Sequence, residues 1–267
     1  MDVQGGVVKK EGAKIIAIAN QKGGVGKTTT TVSLAAALVR LDKRVLVLDL
    51  DPHACASVHL RHYPDEVSVT VHDLFMQESP NWPELWTKVR KSSDQLRFDF
   101  APASIRLAEL EVDLGNRKGK GGILKEALSH VRGEYDYILL DCPPHVGILL
   151  VNALVASDLL IVPIQTDFLA LHGLKLLFDT IKILNKVLPE PISYMALPTM
   201  FDKRARACAR VLELLSEKMK DCIFKTVIGM DTRFREASAQ GKVIFDIAPD
   251  SRGARAYAEL ANEIVDL

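Results

Sequence analysis

The chain has 267 residues, and its 34 basic and 34 acidic side chains balance at pH 7. It can bury one substantial core, but it has no global charge with which to hold nucleic acid or an anionic surface, so any such binding must come from a local patch. The four cysteines, Cys55, Cys142, Cys208 and Cys222, lack paired spacing, which excludes a disulfide scaffold and argues for reduced thiols in a cytosolic protein.

Residues Met1 to Ala13 are polar and glycine-containing and read as a flexible lead-in, and 14–267 reads as one domain without a linker or internal repeat. Short β-branched and leucine-rich runs then alternate with helical patterns. The expected strands are Ile15–Asn20, Val45–Asp49, Leu96–Ala101, Tyr137–Asp141, Leu159–Pro163, Tyr194–Thr199 and Phe224–Ile228. Such alternation predicts an α/β fold, a mostly parallel, doubly wound sheet flanked by helices. The stretch Arg61 to Arg97, with Pro64, Pro80, Pro83, Trp82 and Trp86, reads as a peripheral subdomain with the tryptophans packed beneath it, a partner-docking surface being the alternative. The most apolar stretch, Val146 to Ile164, is broken by Asn152 and Asp158. It reads as a helix followed by a buried strand and not as the ~20 apolar residues of a bilayer span. No signal peptide is apparent.

Between the first strand and a helix expected from Thr28 lies Gln21-Lys22-Gly23-Gly24-Val25-Gly26-Lys27-Thr28-Thr29. This is how a nucleoside-triphosphate phosphate loop is built: backbone N–H groups wrap a phosphate only where no Cβ intrudes, and the helix aims its positive end at the anion. Lys27 then reaches the β/γ-phosphates and the Thr28 hydroxyl ligates Mg²⁺. The usual pattern has glycine where Gln21 stands, and an additional lysine, Lys22, follows. Asp51 comes just after the second strand and Asp141 at the end of the fourth, so all these residues fall at carboxyl ends of strands, where α/β sheets bind ligands.

The order Lys-Gly-Gly-x-Gly-Lys-Thr resembles the deviant phosphate loop of the ParA/MinD superfamily, and the resemblance covers nearly the whole chain. Val45-Leu-Val-Leu-Asp49-Leu-Asp51-Pro52 is similar to the family's second strand and switch I, and Tyr137-Ile-Leu-Leu-Asp141-Cys-Pro143-Pro144 to its Walker B strand and switch II. Pro198-Thr-Met-Phe-Asp202 and Arg233-Phe-Arg-Glu-Ala-Ser238 resemble segments of the small, Soj-like members. Within that group, Asp51-Pro-His-Ala54, Gly115-Asn-Arg117, Asp202-Lys-Arg204 and Asp231-Thr-Arg-Phe-Arg235 are most similar to ParA-like proteins, sometimes called ParC, that position chemosensory arrays at cell poles.

The resemblance implies an ATPase using ATP and Mg²⁺, with Lys22, Lys27 and Asp51 catalytic. Gln21 to Thr29, Asp141, Thr199 and Met200 would lie at the nucleotide. Thr28, Asp49, Asp51 and Asp141 would serve the cation, Asp141 through water, with Asp51 polarising the attacking water. Lys22 matches the signature lysine that crosses an ATP-dependent homodimer to the partner's phosphates. The implied place is the cytoplasm, at the nucleoid or a cell pole, with a ParB-like or other cargo-linked protein stimulating hydrolysis. The segment Met1 to Ala13 is too short for the helix-turn-helix domain of large plasmid members, so operator-specific autoregulation is not expected.

Basic residues gather in the C-terminal third. Lys203, Arg204, Arg206 and Arg210 open one helical pattern, Arg233 and Arg235 another, and Arg252 and Arg255 precede the last helix. The resemblance selects Arg204, Arg206, Arg233 and Arg235 as a surface for sequence-independent, salt-sensitive DNA binding; an ordinary acid-balanced helix face is the alternative. Where those relatives carry Pro-Arg-Asn, this chain has Gly229-Met230-Asp231. A MinD-like membrane switch is disfavoured because the tail, Ala254 to Leu267, carries Glu259, Glu263 and Asp266 against Arg255 alone. An iron–sulfur reductase on this scaffold would need axial cysteines, and only Cys142 is so placed. His53, Cys55 and His59 read as a switch segment and not as a zinc site, and His53-Ala54-Cys55 replaces the common Gln-Gly-Asn.

Overall fold

The computed structural model describes residues 12–78, 80–92, 96–168 and 174–267. Its six strands are β1 (Lys14–Ile18), β2 (Val45–Asp49), β3 (Asp99–Ala101), β4 (Tyr137–Asp141), β5 (Leu159–Gln165) and β6 (Tyr194–Thr199), all parallel in the order β3-β2-β4-β1-β5-β6. Burial of both faces explains why the strands are apolar almost throughout. With a side-chain period of two, Ile15, Ala17, Leu46, Leu48, Ile138, Leu140, Leu160 and Val162 point into one core. Their neighbours Ile16, Ile18, Val45, Val47, Tyr137, Leu139, Leu159 and Ile161 point into the other.

The first core is covered by α3 (Val71–Met76), α4 (Trp82–Val89), α5 (Leu110–Asp113), α6 (Ile123–Ser129), α7 (Ile148–Ala156), α8 (Leu174–Leu184) and α9 (Arg206–Met219). The second is covered by α1 (Lys27–Val39), α2 (Cys55–His59), α10 (Arg233–Gln240), α11 (Ile244–Ile247) and α12 (Arg252–Asp266). α12 turns its apolar face, including Tyr257, Leu260 and Ile264, into that core.

Several expectations need adjusting. Phe224–Ile228 is not a strand. Phe224 N–H reaches Ala196 O at 2.9 Å, which makes one isolated bridge, but the next donor on that edge of β6 would be Pro198, which has no N–H. The chain therefore bows away. The N–H groups of Lys225 and Thr226 bond the Glu263 carboxylate of α12 at 2.9 and 2.7 Å, and contact resumes only through Ile228 N–H to Pro198 O and a bridge between Phe201 and Gly229. β1 stops at Ile18 and not at Asn20, whose side chain is used in the loop. β3 starts only at Asp99, because Arg97 takes a left-handed φ of 58° that no strand accommodates. Helix α1 begins at Lys27, one residue before the expected start, and Arg252 and Arg255 lie within α12, not before it.

Of the expected lead-in, residues 1–11 lie outside the described residues. Ala13 belongs to the fold: it is fully buried and its N–H donates to Arg132 O at 2.8 Å. Both tryptophans are buried. Trp86 Nε1 donates to Ala127 O at 2.9 Å and Trp82 stacks on His130. Among the described residues no helix is long and apolar enough to cross a membrane.

Candidate functional site

β1 is a central strand, and the loop leaving its carboxyl end runs into α1 through Gly26, which caps the helix with φ 93°. Gly24 also has positive φ, 73°. A Cβ built at Gly23, Gly24 or Gly26 would meet no protein atom within 4 Å, so these glycines face open space of the kind a bound group fills. Asn20 organises the entry: its Nδ2 donates to Pro163 O on β5 at 2.7 Å and its Oδ1 accepts Lys22 N–H at 2.9 Å. Gln21 Nε2 is buried without a hydrogen-bond partner among the described residues, an orphaned donor beside the cradle. Lys27, at the first position of α1, is buried. Gly23 and Gly24 are exposed, and Lys22 extends its ammonium to Gln165 Oε1 at 3.0 Å at the end of β5.

The carboxylates converge as the sheet order requires, because β2 and β1 both flank β4 and Asp49 stands in register with Asp141. Thr28 Oγ1 donates to Asp141 Oδ2 at 2.8 Å and Thr31 Oγ1 to Asp141 Oδ1 at 3.1 Å. The Thr28 hydroxyl thus gives its proton to Asp141 and keeps its lone pairs for a cation, a donor set that suits Mg²⁺ with Asp141 one shell out. Burial, reinforced by Asp49, pushes the Asp141 carboxyl upward despite its threonine bonds and Lys27. Asp49 is likewise raised, first by burial, although Ser57 and Asp51 donate to it. Its Oδ2 accepts Ser57 N–H at 2.8 Å and Ser57 Oγ at 2.7 Å, and its Oδ1 accepts Asp51 N–H at 3.0 Å. Asp49 thereby ties Asp51 and Ser57 to the end of β2.

Asp51 Oδ1 accepts the backbone N–H of His53 and its ring Nδ1–H, each at 3.0 Å, and the His53 ring meets His145 of switch II edge to face at 6.3 Å between centroids. His59, considered beside His53 and Cys55, turns instead to Lys242 O at 2.9 Å. The four cysteines are free, and Cys142 is fully buried, its Sγ against Leu140 O.

Beside the loop opens a cavity of about 430 Å³ whose lining includes Val25, Thr29, Thr199, Met200, Met230 and Tyr257. Thr199 Oγ1 donates to Val25 O at 2.9 Å, joining β6 to the loop. Thr199 and Met200, expected at the nucleotide, line this cavity. Sequence reasoning missed the opposite wall, Ile228 to Thr232, which the Phe201–Gly229 bridge brings across. It also missed Asn20, Gln165 and Ser57. For Asn20 and Gln165 the available signal was a polar residue at the end of an apolar strand; Ser57, inside a short helix, offered none.

The candidate DNA arginines are exposed and lie on two helical openings. Arg204 grips Asp202 with Nε and Nη2 at 3.1 and 3.0 Å, which depresses the Asp202 carboxyl to about 2, and Arg233 pairs with Glu236 at 2.6 Å. Arg204 and Arg235 also border the cavity. The acid at Asp231 is occupied by N–H groups, those of Arg233 at 3.0 Å and Gly253 at 3.1 Å.

A family model described as an AAA domain matches residues 13–193. The sporulation initiation inhibitor protein Soj of Bacillus subtilis is 39% identical over 94% of this chain and 98% of its own length. The chromosome partitioning protein ParA of Myxococcus xanthus is 35% identical over 94% and 88%. Among solved structures, a cobyrinic acid a,c-diamide synthase from Mycobacterium smegmatis with bound ADP and magnesium is 31% identical, with TM-score 0.79 over 95% and 94% of the two chains. The septum site-determining protein MinD of Pyrococcus horikoshii, complexed with Mg-ADP, shares the fold at 23% identity, with TM-score 0.74 over 94% and 96%. With its glycine-rich loop, paired strand-end aspartates and similarity to Soj and ParA over nearly the whole chain, the chain belongs to the ParA family of ATPases.

Proposed function

We propose that this protein is an ATP-dependent dimerising switch that binds DNA without sequence preference and hydrolyses ATP, when a cargo-linked partner stimulates it, to position a chromosome, plasmid or polar chemosensory array. The observation that carries this reading is the loop tip. Lys22 stands beside the exposed Gly23 and Gly24, where a second copy can approach the cradle without a side chain in the way. The cradle, the orphaned Gln21 amide and the Thr28–Asp141 pair fit ATP with Mg²⁺.

The cation supplies charge neutralisation to phosphoryl transfer; the rest falls to side chains. Lys27 neutralises phosphate charge from the start of α1. Thr28 and Asp141 hold the cation's shell, Asp49 fixes the backbone of switch I, and Asp51 orients water. Lys22 leaves Gln165 for the partner's phosphates when the dimer closes. Intrinsic turnover is slow, since a switch must hold its bound state until the partner arrives. The chemosensory assignment rests on Asp51-Pro-His-Ala54 and the Asp202–Arg204 and Asp231–Arg235 segments. A MinD-like membrane role has less support, because α12 buries its apolar face in the second core, against α1.

The test is binding to a random-sequence duplex with ATP, ADP or no nucleotide, at low and moderate salt, while light scattering follows mass. ATP-dependent dimers with salt-sensitive binding are expected. Dimers indifferent to DNA but retained on anionic vesicles would favour the membrane role. ATP turnover without dimerisation would favour a synthase role such as that named for the mycobacterial structure.

A further inference from the structure

His53 stands where the common family pattern has glutamine, and its geometry is specific. The Asp51 carboxylate accepts two hydrogen bonds on the same oxygen, Oδ1, both from His53: one from the backbone N–H and one from ring Nδ1–H, each at 3.0 Å. Oδ2 has no hydrogen bond among the described residues. A carboxylate anchored through one oxygen by two donors from a single neighbour cannot rotate about its terminal torsion without breaking both, so Oδ2 is held in one direction. Asp51 is largely buried while the His53 ring is mostly exposed, which makes the ring a clamp from the solvent side and not a piece of core. The neighbouring backbone supports this placement. Ala54, next in sequence, takes a left-handed φ of 52°, unusual for alanine, and so turns the chain at the start of α2. The edge-to-face contact with His145, at 6.3 Å and 61° between rings, links the clamp to switch II.

We propose that His53 is a positioning residue for hydrolysis: it immobilises the Asp51 carboxylate through Oδ1 so that Oδ2 is presented to the attacking water. This rests on the reading of Asp51 as the water-orienting group. The imidazole acts only as a hydrogen-bond donor in its Nδ1–H tautomer, and no proton need leave it during turnover. Its contribution appears in the chemical step and not in nucleotide binding, because neither bond involves the phosphate loop.

The experiment measures ATP turnover and the binding of ATP and ADP for the full chain and for His53→Ala, His53→Asn and Asp51→Ala. His53→Ala is expected to lower kcat by roughly ten- to a hundredfold, the upper figure being the scale of a reacting group misplaced by about 1 Å, with KM and ADP affinity unchanged. His53→Asn restores kcat to within about threefold, because its Nδ2 donates from near the place of the ring Nδ1. A general structural defect would move KM as well and would not be rescued by asparagine. The inference fails if His53→Ala keeps kcat, raises KM at constant kcat, or is not improved by asparagine, while Asp51→Ala is inactive. If Asp51→Ala itself retains turnover, the reading of Asp51 is what has failed.

Discussion

The Asp49–Ser57 contact makes a quantitative test possible. Ser57 is fully buried and bonded on both sides: its Oγ donates to Asp49 Oδ2 at 2.7 Å and accepts the N–H of Ala103 at 2.9 Å. Ser57→Ala removes one hydrogen bond to a buried carboxylate, worth about 1.5–3 kcal/mol, and orphans a buried N–H at a cost of about 1–3 kcal/mol. The two effects share one atom and are not fully additive, so we expect a loss of about 3–4 kcal/mol in the nucleotide-free protein. That corresponds to a fall of roughly 6–16 °C in the unfolding midpoint. Urea unfolding at constant m measures it, and Ser57→Cys, which fills the space with a weak donor, separates bonding from packing. A loss below about 1 kcal/mol for Ser57→Ala, or a Ser57→Cys variant as stable as the parent, would refute the account.

Gly26→Ala meets no steric obstruction, yet φ 93° strains any Cβ-bearing residue, so folding should lose about 1–2 kcal/mol. The methyl also enters the cradle, and titration with a fluorescent ATP analogue should show at least about tenfold weaker binding, the equivalent of one lost backbone bond. Tyr257 OH and Thr30 Oγ1 share a buried hydrogen bond of 2.9 Å. Tyr257→Phe and Thr30→Val should each cost about 1–2 kcal/mol in denaturant unfolding, with the double variant well short of the sum. Asp49 and Asp141 are both raised by burial, so the unfolded chain ionises first as pH rises. Their stabilising contribution is therefore complete below the unfolded carboxyl value of about 4 and is lost as pH climbs through the folded values. Between pH 5 and 8 the nucleotide-free parent should lose stability more steeply than Asp49→Asn; equal slopes would contradict the assignment.

What could be read in advance depended on whether a residue's role was local. The loop, its helix and the strand-end aspartates follow from spacing and period, because sheet order then brings Asp49 and Asp141 into register. The opposite wall of the cavity could not be read this way. Phe224–Ile228 has the composition of a strand, and what denies it that state is Pro198, some thirty positions earlier, together with Glu263 from the last helix. That same interruption delivers Gly229 to Phe201 and closes the cavity around Thr199 and Met200. Ser57 was equally hidden: only the packing of α2 on the end of β2 reveals that a serine in a five-residue helix anchors a buried carboxylate.

The pairing of the C-terminal arginines bears on how a neutral chain could respond to ATP. A phosphate can displace Asp202 from Arg204 or Glu236 from Arg233 at little cost, since exposed ion pairs contribute little. Each freed acid must then recruit a cation of its own, so a paired arginine adds little to the net ion release on which salt-sensitive DNA binding depends. Among the described residues Arg206 and Arg235 have no ion pair, so they would contribute nearly the full effect, about 0.9 in logarithmic slope per phosphate. Two such groups on a protein with balanced charge make a weak surface. Doubling them on the proposed dimer would make the second contact intramolecular, and affinity would then rise without any change in the patch itself. If the proposed dimer closes through Lys22, dimerisation would be sufficient to switch DNA binding on. In the proposed switch the half-neutralised patch would keep the monomer from binding DNA until nucleotide joins two copies.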